Sequence, residues 1–202
     1  MSQVDAAATA EPEPEPEPGP KPRARSKAKR SAGILLFELR GGELEVLLVH
    51  PGGPFWARRD PGVWSIPKGE YGDEEDPRAA ALREFAEETG SRLESSRAPD
   101  AEPGPPDLIP LGGVKQRNGK LVTAWAARGS FDVGTLSSNT FQLEWPKGAG
   151  VREFPEVDRA GWFRPAEARR KLVPAQAEFV DRLIAALREA GHEIADPAPS
   201  AE

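Results

Sequence analysis

The 202-residue chain has no cysteine, two histidines, one methionine and one tyrosine. Without cysteine there is no disulfide, no thiol nucleophile and no thiolate metal site. His50 and His192 alone argue against a histidine-built zinc site, so any bound metal would be held by oxygen. No apolar run approaches the ~18 residues of a membrane helix. The first residues are acidic and proline-rich rather than basic and then apolar, and a soluble cytoplasmic protein is expected. Positive charge is in deficit too, with 27 Lys and Arg against 33 Asp and Glu, a net of −6. Met1 to Arg30 holds five acidic and six basic residues, a net of +1, which leaves −7 on the remainder. An acidic body argues against a general nucleic-acid binder, although "KPRARSKAKR" is a short basic run.

Hydrophobic residues are few for a fully folded chain at 38%, while 22 prolines and 20 glycines point to long irregular stretches. Residues 11 to 30, "EPEPEPEPGPKPRARSKAKR", carry no large apolar group to set against the entropy of ordering. Residues 1 to 29 are therefore expected to form an extended tail, 30 to 191 the folded domain, and 192 to 202 a flexible C-terminal tail. "SRAPDAEPGPPD", 96 to 107, reads as a flexible insertion.

What remains alternates between strand and helix patterns. "AGILLFEL" (32 to 39) and "ELEVLLVH" (43 to 50), separated by "RGG", predict a hairpin with both strands largely buried. A loop with Arg58 and Arg59 leads to a short strand "VWSIPK". A second hairpin follows at 108 to 129, with Asn118-Gly119 suited to a primed turn. Residues 131 to 154 read as a polar loop, "AGWFRP" (160 to 165) as the last strand, and "PAEARRKL" and 174 to 191 as helices. On the last helix Phe179, Leu183, Ile184 and Leu187 share a face. Strands interleaved with helices predict a mixed sheet sandwiched between them.

The segment "GEYGDEEDPRAAALREFAEETG" (69 to 90) predicts a well-marked helix, with Asp76 as N-cap, Pro77 in the first position and Gly90 past the end. Leu82, Phe85, Ala86 and Thr89 fall on one side, and Glu84, Glu87 and Glu88 on the other. Like charges at i, i+4 oppose a helix by about 0.2–0.5 kcal/mol a pair, and carboxylates near its C-terminus by about 0.3–1 kcal/mol each. Taken alone, three such glutamates suit a solvated face or a site for a divalent cation.

Spacing decides between them. Gly69, Glu75, Arg83, Glu84, Phe85, Glu87, Glu88 and Gly90 form the pattern G-x5-E-x7-R-E-U-x-E-E-x-G, with U a bulky apolar residue. The chain thereby resembles the Nudix hydrolases over roughly residues 31 to 190. It departs only at Ser91, where that signature ends on an apolar residue that packs the turn.

The resemblance implies an α/β/α sandwich with a mixed sheet, and magnesium- or manganese-dependent hydrolysis of a nucleoside diphosphate linked to another group. It implies metal ligation by the Gly69 carbonyl and by Glu84, Glu87 and Glu88, and a role for Arg83 in orienting the glutamates. Glu75 would partner Arg83 or stand as an outer ligand. Glu153, Glu156 and Glu144 are candidates for a further carboxylate, Glu156 taken as the metal ligand among them.

Lys68 in "PKGE" is similar to the branch acting on diadenosine polyphosphates and diphosphoinositol polyphosphates, and suits an extra phosphate. Arg58, Arg59, Lys115, Arg117 and Lys120 would extend a positive rim or simply be solvated, and Arg58 is taken with Lys68 and Trp56 as substrate-binding. Trp64, Trp125 and Trp162 are expected in the core, whereas Phe55, Trp56 and Trp145 lie in loops where a ring can stack on a base. The expected function is hydrolysis of a phosphoanhydride in a nucleoside polyphosphate, with dinucleoside polyphosphates leading. Removal of a 5′ pyrophosphate from RNA, and nucleotide sensing without catalysis, are the alternatives.

Overall fold

The computed structural model describes residues 29–93 and 106–195. The expected tail up to residue 28, most of the proline-rich insertion, and 196–202 lie outside the described residues.

Strands β1 (Arg30–Arg40) and β2 (Glu43–Pro51) form the expected hairpin, closed by Gly41 and Gly42 at φ 59° and 86°. A two-residue turn with both φ positive is the primed turn that suits strand twist. Strands β4 (Leu108–Lys115) and β5 (Leu121–Arg128) form the second hairpin. There the turn differs from expectation. Only Gly119 has positive φ, and its N–H donates to the Gln116 carbonyl, so Arg117, Asn118 and Gly119 make a three-residue loop. Asn118 does not take the left-handed conformation because Gly119 supplies it at no steric cost.

The main sheet runs β4-β5-β1-β2 and then β8 (Val157–Phe163), with β5 parallel to β1, and β3 (Lys68–Glu70) joins β1 separately. "VWSIPK" is thus not a regular strand: Trp64 and Ser65 make single bridges, and pairing begins at Lys68. Strand β8 starts ahead of the predicted run. The segment read as a polar loop contains a small hairpin, β6 (Thr140–Glu144) and β7 (Val151–Pro155), with the Phe141 and Phe154 rings 6.0 Å apart. The alternation of Phe141 and Leu143 with polar residues in β6 was the available signal; β7 lacks one, and both strands are mostly exposed.

Helix α1 (Pro77–Thr89) lies on one face of the sheet, where Ala80, Ala81 and Phe85 pack on Ala32, Ile34, Leu36 and Leu47. Helices α2 (Pro165–Lys171) and α3 (Ala177–Glu189) cover the other face, where Phe179, Val180, Leu183 and Leu187 meet Leu35, Phe37, Val46 and Leu48. Alternate residues of β1 thus feed opposite layers, the α/β/α arrangement expected of a sheet buried on both sides. Trp64 is core, while Trp125 and Trp162 pack half-buried at the edge of the α1 layer. Ile194, within the expected C-terminal tail, is buried in the α3 layer and its carbonyl accepts from Arg188. Among the described residues no helix is long and apolar enough to cross a membrane.

One feature of the sheet opens a site. Strand β1 pairs with β3 at Ser31–Gly33 and with β2 from Phe37 onward, so β2 and β3 diverge on the same edge. The Ile34 N–H bridges the interval by donating to the Pro67 carbonyl at 3.0 Å. Gly33 permits this crossing, since a Cβ there would stand 2.5 Å from both the Lys68 Cβ and the Pro67 oxygen.

Candidate active site

Helix α1 begins where its sequence predicts. The Asp76 carboxylate accepts from the Ala79 N–H at 2.8 Å, and Gly90 ends the helix at φ 77° with its N–H on the Ala86 carbonyl. The buried face, however, is Ala80, Ala81, Phe85 and Thr89, not the predicted Leu82, Phe85, Ala86 and Thr89. This small rotation turns Glu84 and Glu88 inward to flank the packed face. Glu84 reaches β3, where a Cβ on Gly69 would lie 1.7 Å from its Oε2. Only glycine leaves room for that carboxylate.

Glu88 accepts from the Lys68 backbone N–H at 2.9 Å. Burial pushes its carboxyl up to about 7, against the opposing pull of Lys68, with repulsion from Glu84 and Glu156 adding to the rise. Burial raises Glu84 as well, over the opposing bond from Arg83. Desolvation lowers the Lys68 ammonium, which Glu88 partly offsets.

Arg83 answers the cost of crowding these acids. Its Nε and Nη2 bond both Glu75 oxygens at 2.9 and 3.1 Å, while Nη1 donates to Glu84 at 2.6 Å and Glu87 at 3.0 Å. The Glu75 bond is the chief cause of its raised pKa. A bidentate pair of this kind fixes the guanidinium plane. Glu75 is therefore an arginine partner, the first of its two expected roles.

The three candidates for a further carboxylate separate clearly. Glu156 adds to the field on both Glu84 and Glu88. Glu153 bonds Thr140, and Glu144 accepts from the Gly148 N–H at 2.7 Å, so both are spent within the small hairpin. Glu156 is placed by its own backbone, which donates to Asn139 at 2.8 Å and accepts from Gly52 at 2.9 Å. Asn139 and Ser137 in turn donate to the Glu87 and Thr89 carbonyls at the end of α1. A segment with no legible motif thus satisfies the helix terminus and carries Glu156 to it.

A cavity of about 220 Å³ occupies the opening between β2 and β3. Lys68, Glu88 and Glu156 form polar lining, Val49, Val63 and Val157 are apolar wall, and Trp56 lines it while remaining 38% exposed. Arg58 is exposed and does not line the cavity. Arg59 lies over the Trp56 ring, 5.5 Å from its centroid. Lys120 bonds Glu70 at 3.1 Å, and Gln116, between Lys115 and Arg117, is the hairpin residue that reaches the cavity. Trp145 pairs with Phe55 at 4.8 Å, and neither lines it.

Gln176 was not legible from sequence. Fully buried, it accepts from the Ile66 N–H at 3.0 Å, exchanges a bond with Ser65 and lines the cavity floor, fixing the segment that delivers Lys68 and Gly69. Nothing distinguishes it in the helical pattern.

A sheet split beside an acidic helix, with glutamates turned inward against a glycine, defines an α/β/α protein with carboxylates gathered at the split. The family model for the NUDIX domain matches residues 27–183. The chain therefore belongs to the Nudix family and is a hydrolase acting on pyrophosphate bonds.

Solved structures share the fold. An Ap4A hydrolase from C. elegans, in a binary complex, is 20% identical with a TM-score of 0.52, covering 80% of this chain and 99% of its own. The NUDIX domain of Shewanella oneidensis NrtR, complexed with ADP ribose, is 18% identical with a TM-score of 0.51, covering 84% and 94%. A mutT/nudix family protein from Listeria innocua is 19% identical with a TM-score of 0.53, covering 83% and 98%.

Nudix hydrolases use divalent metal ions. Among the described residues no three carboxylates already converge as a cage, because Arg83 holds Glu84 and Glu87 while Glu88 holds the Lys68 N–H. The donors nonetheless fit a hard cation: all are oxygens, two are raised by burial, and each of those two is repelled by Glu156. The space that a Cβ on Gly69 would fill lies directly against one of them.

Proposed function

We propose that the chain is a divalent-metal-dependent pyrophosphohydrolase that opens a phosphoanhydride bond of a nucleoside polyphosphate by attack of water, with dinucleoside polyphosphates as the leading substrates. One observation carries this reading. The cavity joins apolar wall and the Trp56 ring to Lys68, Glu88 and Glu156, so a nucleoside and its phosphates would find matching surroundings in one recess. The neighbours named for Ap4A and ADP ribose, both nucleotides carrying more than one phosphate, support it. The net charge of −6 favours a small nucleotide over an RNA chain.

Glu84, Glu87, Glu88, Glu156 and the Gly69 carbonyl are the groups that would hold magnesium or manganese. When bound, such an ion neutralises phosphate oxygens and lowers the pKa of a water. Arg83 keeps the acids together before the ion arrives, and Glu75 holds Arg83. Lys68 supplies positive charge to the phosphates, with its ammonium partly desolvated and so strengthened as a partner. Glu88, with one oxygen fixed by the Lys68 N–H, is oriented to take a proton at the other oxygen.

The test is a magnesium-dependent panel of diadenosine tetraphosphate, nucleoside triphosphates, ADP-ribose and 5′-triphosphorylated RNA, with products identified. Fastest turnover of the dinucleotide is expected. Preference for RNA would replace the substrate assignment, and nucleotide binding without turnover would replace hydrolysis by sensing.

A further inference from the structure

His50 is fully buried on β2, yet it touches no group assigned above to chemistry. Its Nε2 lies 2.8 Å from the Arg59 carbonyl and its Nδ1 2.6 Å from the Asp158 Oδ1. A carbonyl only accepts, so Nε2 carries a proton, and Nδ1 is left to pair with the Asp158 carboxyl group. A buried ring held at both nitrogens is fixed in position and orientation.

What it fixes is the cavity wall. Val49 and Pro51 flank His50 in sequence, and Val157 precedes Asp158; all three line the cavity. Arg59, whose carbonyl His50 holds, donates its own N–H to the Trp56 carbonyl at 2.7 Å. A continuous line of bonds therefore runs from Asp158 on β8 through His50 and Arg59 to Trp56. Asp60, the next residue, has separate anchors: it accepts from the Trp64 indole at 3.1 Å and from Lys171 at 2.8 Å.

We infer that His50, braced by Asp158, is a positioning residue that sets the Trp56 loop against the cavity, and thereby governs how tightly the nucleoside is held. The inference rests on the cavity being the nucleoside site. Because Asp60 stays anchored, loss of the brace frees the Trp56–Arg59 turn without releasing the loop from the fold. Binding should suffer more than the chemical step.

Two measurements on the full chain test this. With only His50 and His192 present, the ring nitrogens of the ¹⁵N-labelled protein can be assigned using His192→Gln. The His50 Nε2 should carry a proton that exchanges far more slowly than ring protons of the exposed His192; an unprotonated or freely exchanging Nε2 would overturn the brace. In His50→Gln, which keeps one donor, KM for diadenosine tetraphosphate should rise about tenfold with kcat within about threefold. Asp158→Asn in the otherwise unchanged chain, which keeps an acceptor for Nδ1, should leave KM near the parent's. A fall in kcat with unchanged KM would overturn the positioning role. Absence of turnover in the parent would overturn the nucleotide reading instead, and the ring proton still decides the brace.

Discussion

Helices α1 and α3 each have 13 residues and lie on opposite faces of one sheet, but they spend their surfaces differently. Helix α3 buries Phe179, Val180, Leu183, Ile184 and Leu187, five large apolar groups worth about 1.5–3 kcal/mol each. Helix α1 buries one large side chain, Phe85, beside two alanines and Thr89. Its remaining inward surface is given to Glu84 and Glu88, whose burial opposes their charge. One helix holds the domain together; the other sacrifices stability to keep carboxylates close, with Arg83 limiting the cost.

The sharpest way to break this contrast is to remove charge from α1. Glu84→Gln should lower magnesium-dependent turnover by orders of magnitude while leaving the metal-free melting temperature unchanged or higher, because a desolvated, repelled charge is gone. Magnesium should then raise the parent's melting temperature more than the variant's, which differential scanning would show. The converse change in α3, Leu183→Ala, should cost about 2–5 kcal/mol in denaturant unfolding with kcat of the folded enzyme preserved.

A pH titration sharpens the same point. Glu88 is raised from 4.5 to about 7, so between those values the folded state binds more protons than the unfolded one. Stability contributed by that proton is whole below about pH 4.5 and lost as pH rises through about 7. For the metal-free protein the loss should be roughly 1–3 kcal/mol, and Glu88→Gln should flatten it. The smallest effect belongs to Glu153→Gln, which should leave turnover within about twofold, since that side chain engages Thr140 away from the acidic helix.

Much of this was legible in the chain. The caps of α1, the buried first hairpin and the apolar stripe of α3 are local patterns, set by residue-to-residue spacing. The signature glutamates were legible for the same reason, being held on one short helix. Glu156 was taken as the metal ligand ahead of Glu144 and Glu153 with no motif to mark it; in the fold, backbone bonds to Asn139 and Gly52 carry Glu156 to the end of α1 while the other two stay in the small hairpin. Arg58 was taken as the substrate contact ahead of Arg59; in the fold, Arg59 is drawn to His50 and Trp56 while Arg58 stays in solvent.

By itself the sequence determined which residues carry charge on α1 and that the helix would start at Pro77 and stop before Gly90. Cap chemistry and helical spacing act within a few residues, so no distant contact is needed. Which way the acidic face turned was decided by the tertiary structure alone. Gly33 lets β1 and β3 cross closely and Gly69 lets α1 approach β3, so that Glu84 and Glu88 turn inward, desolvated, beside an opening made by strands that part along one edge of β1. Burial, and with it the raised carboxyl of Glu88, depends on what packs against a residue from elsewhere in the chain.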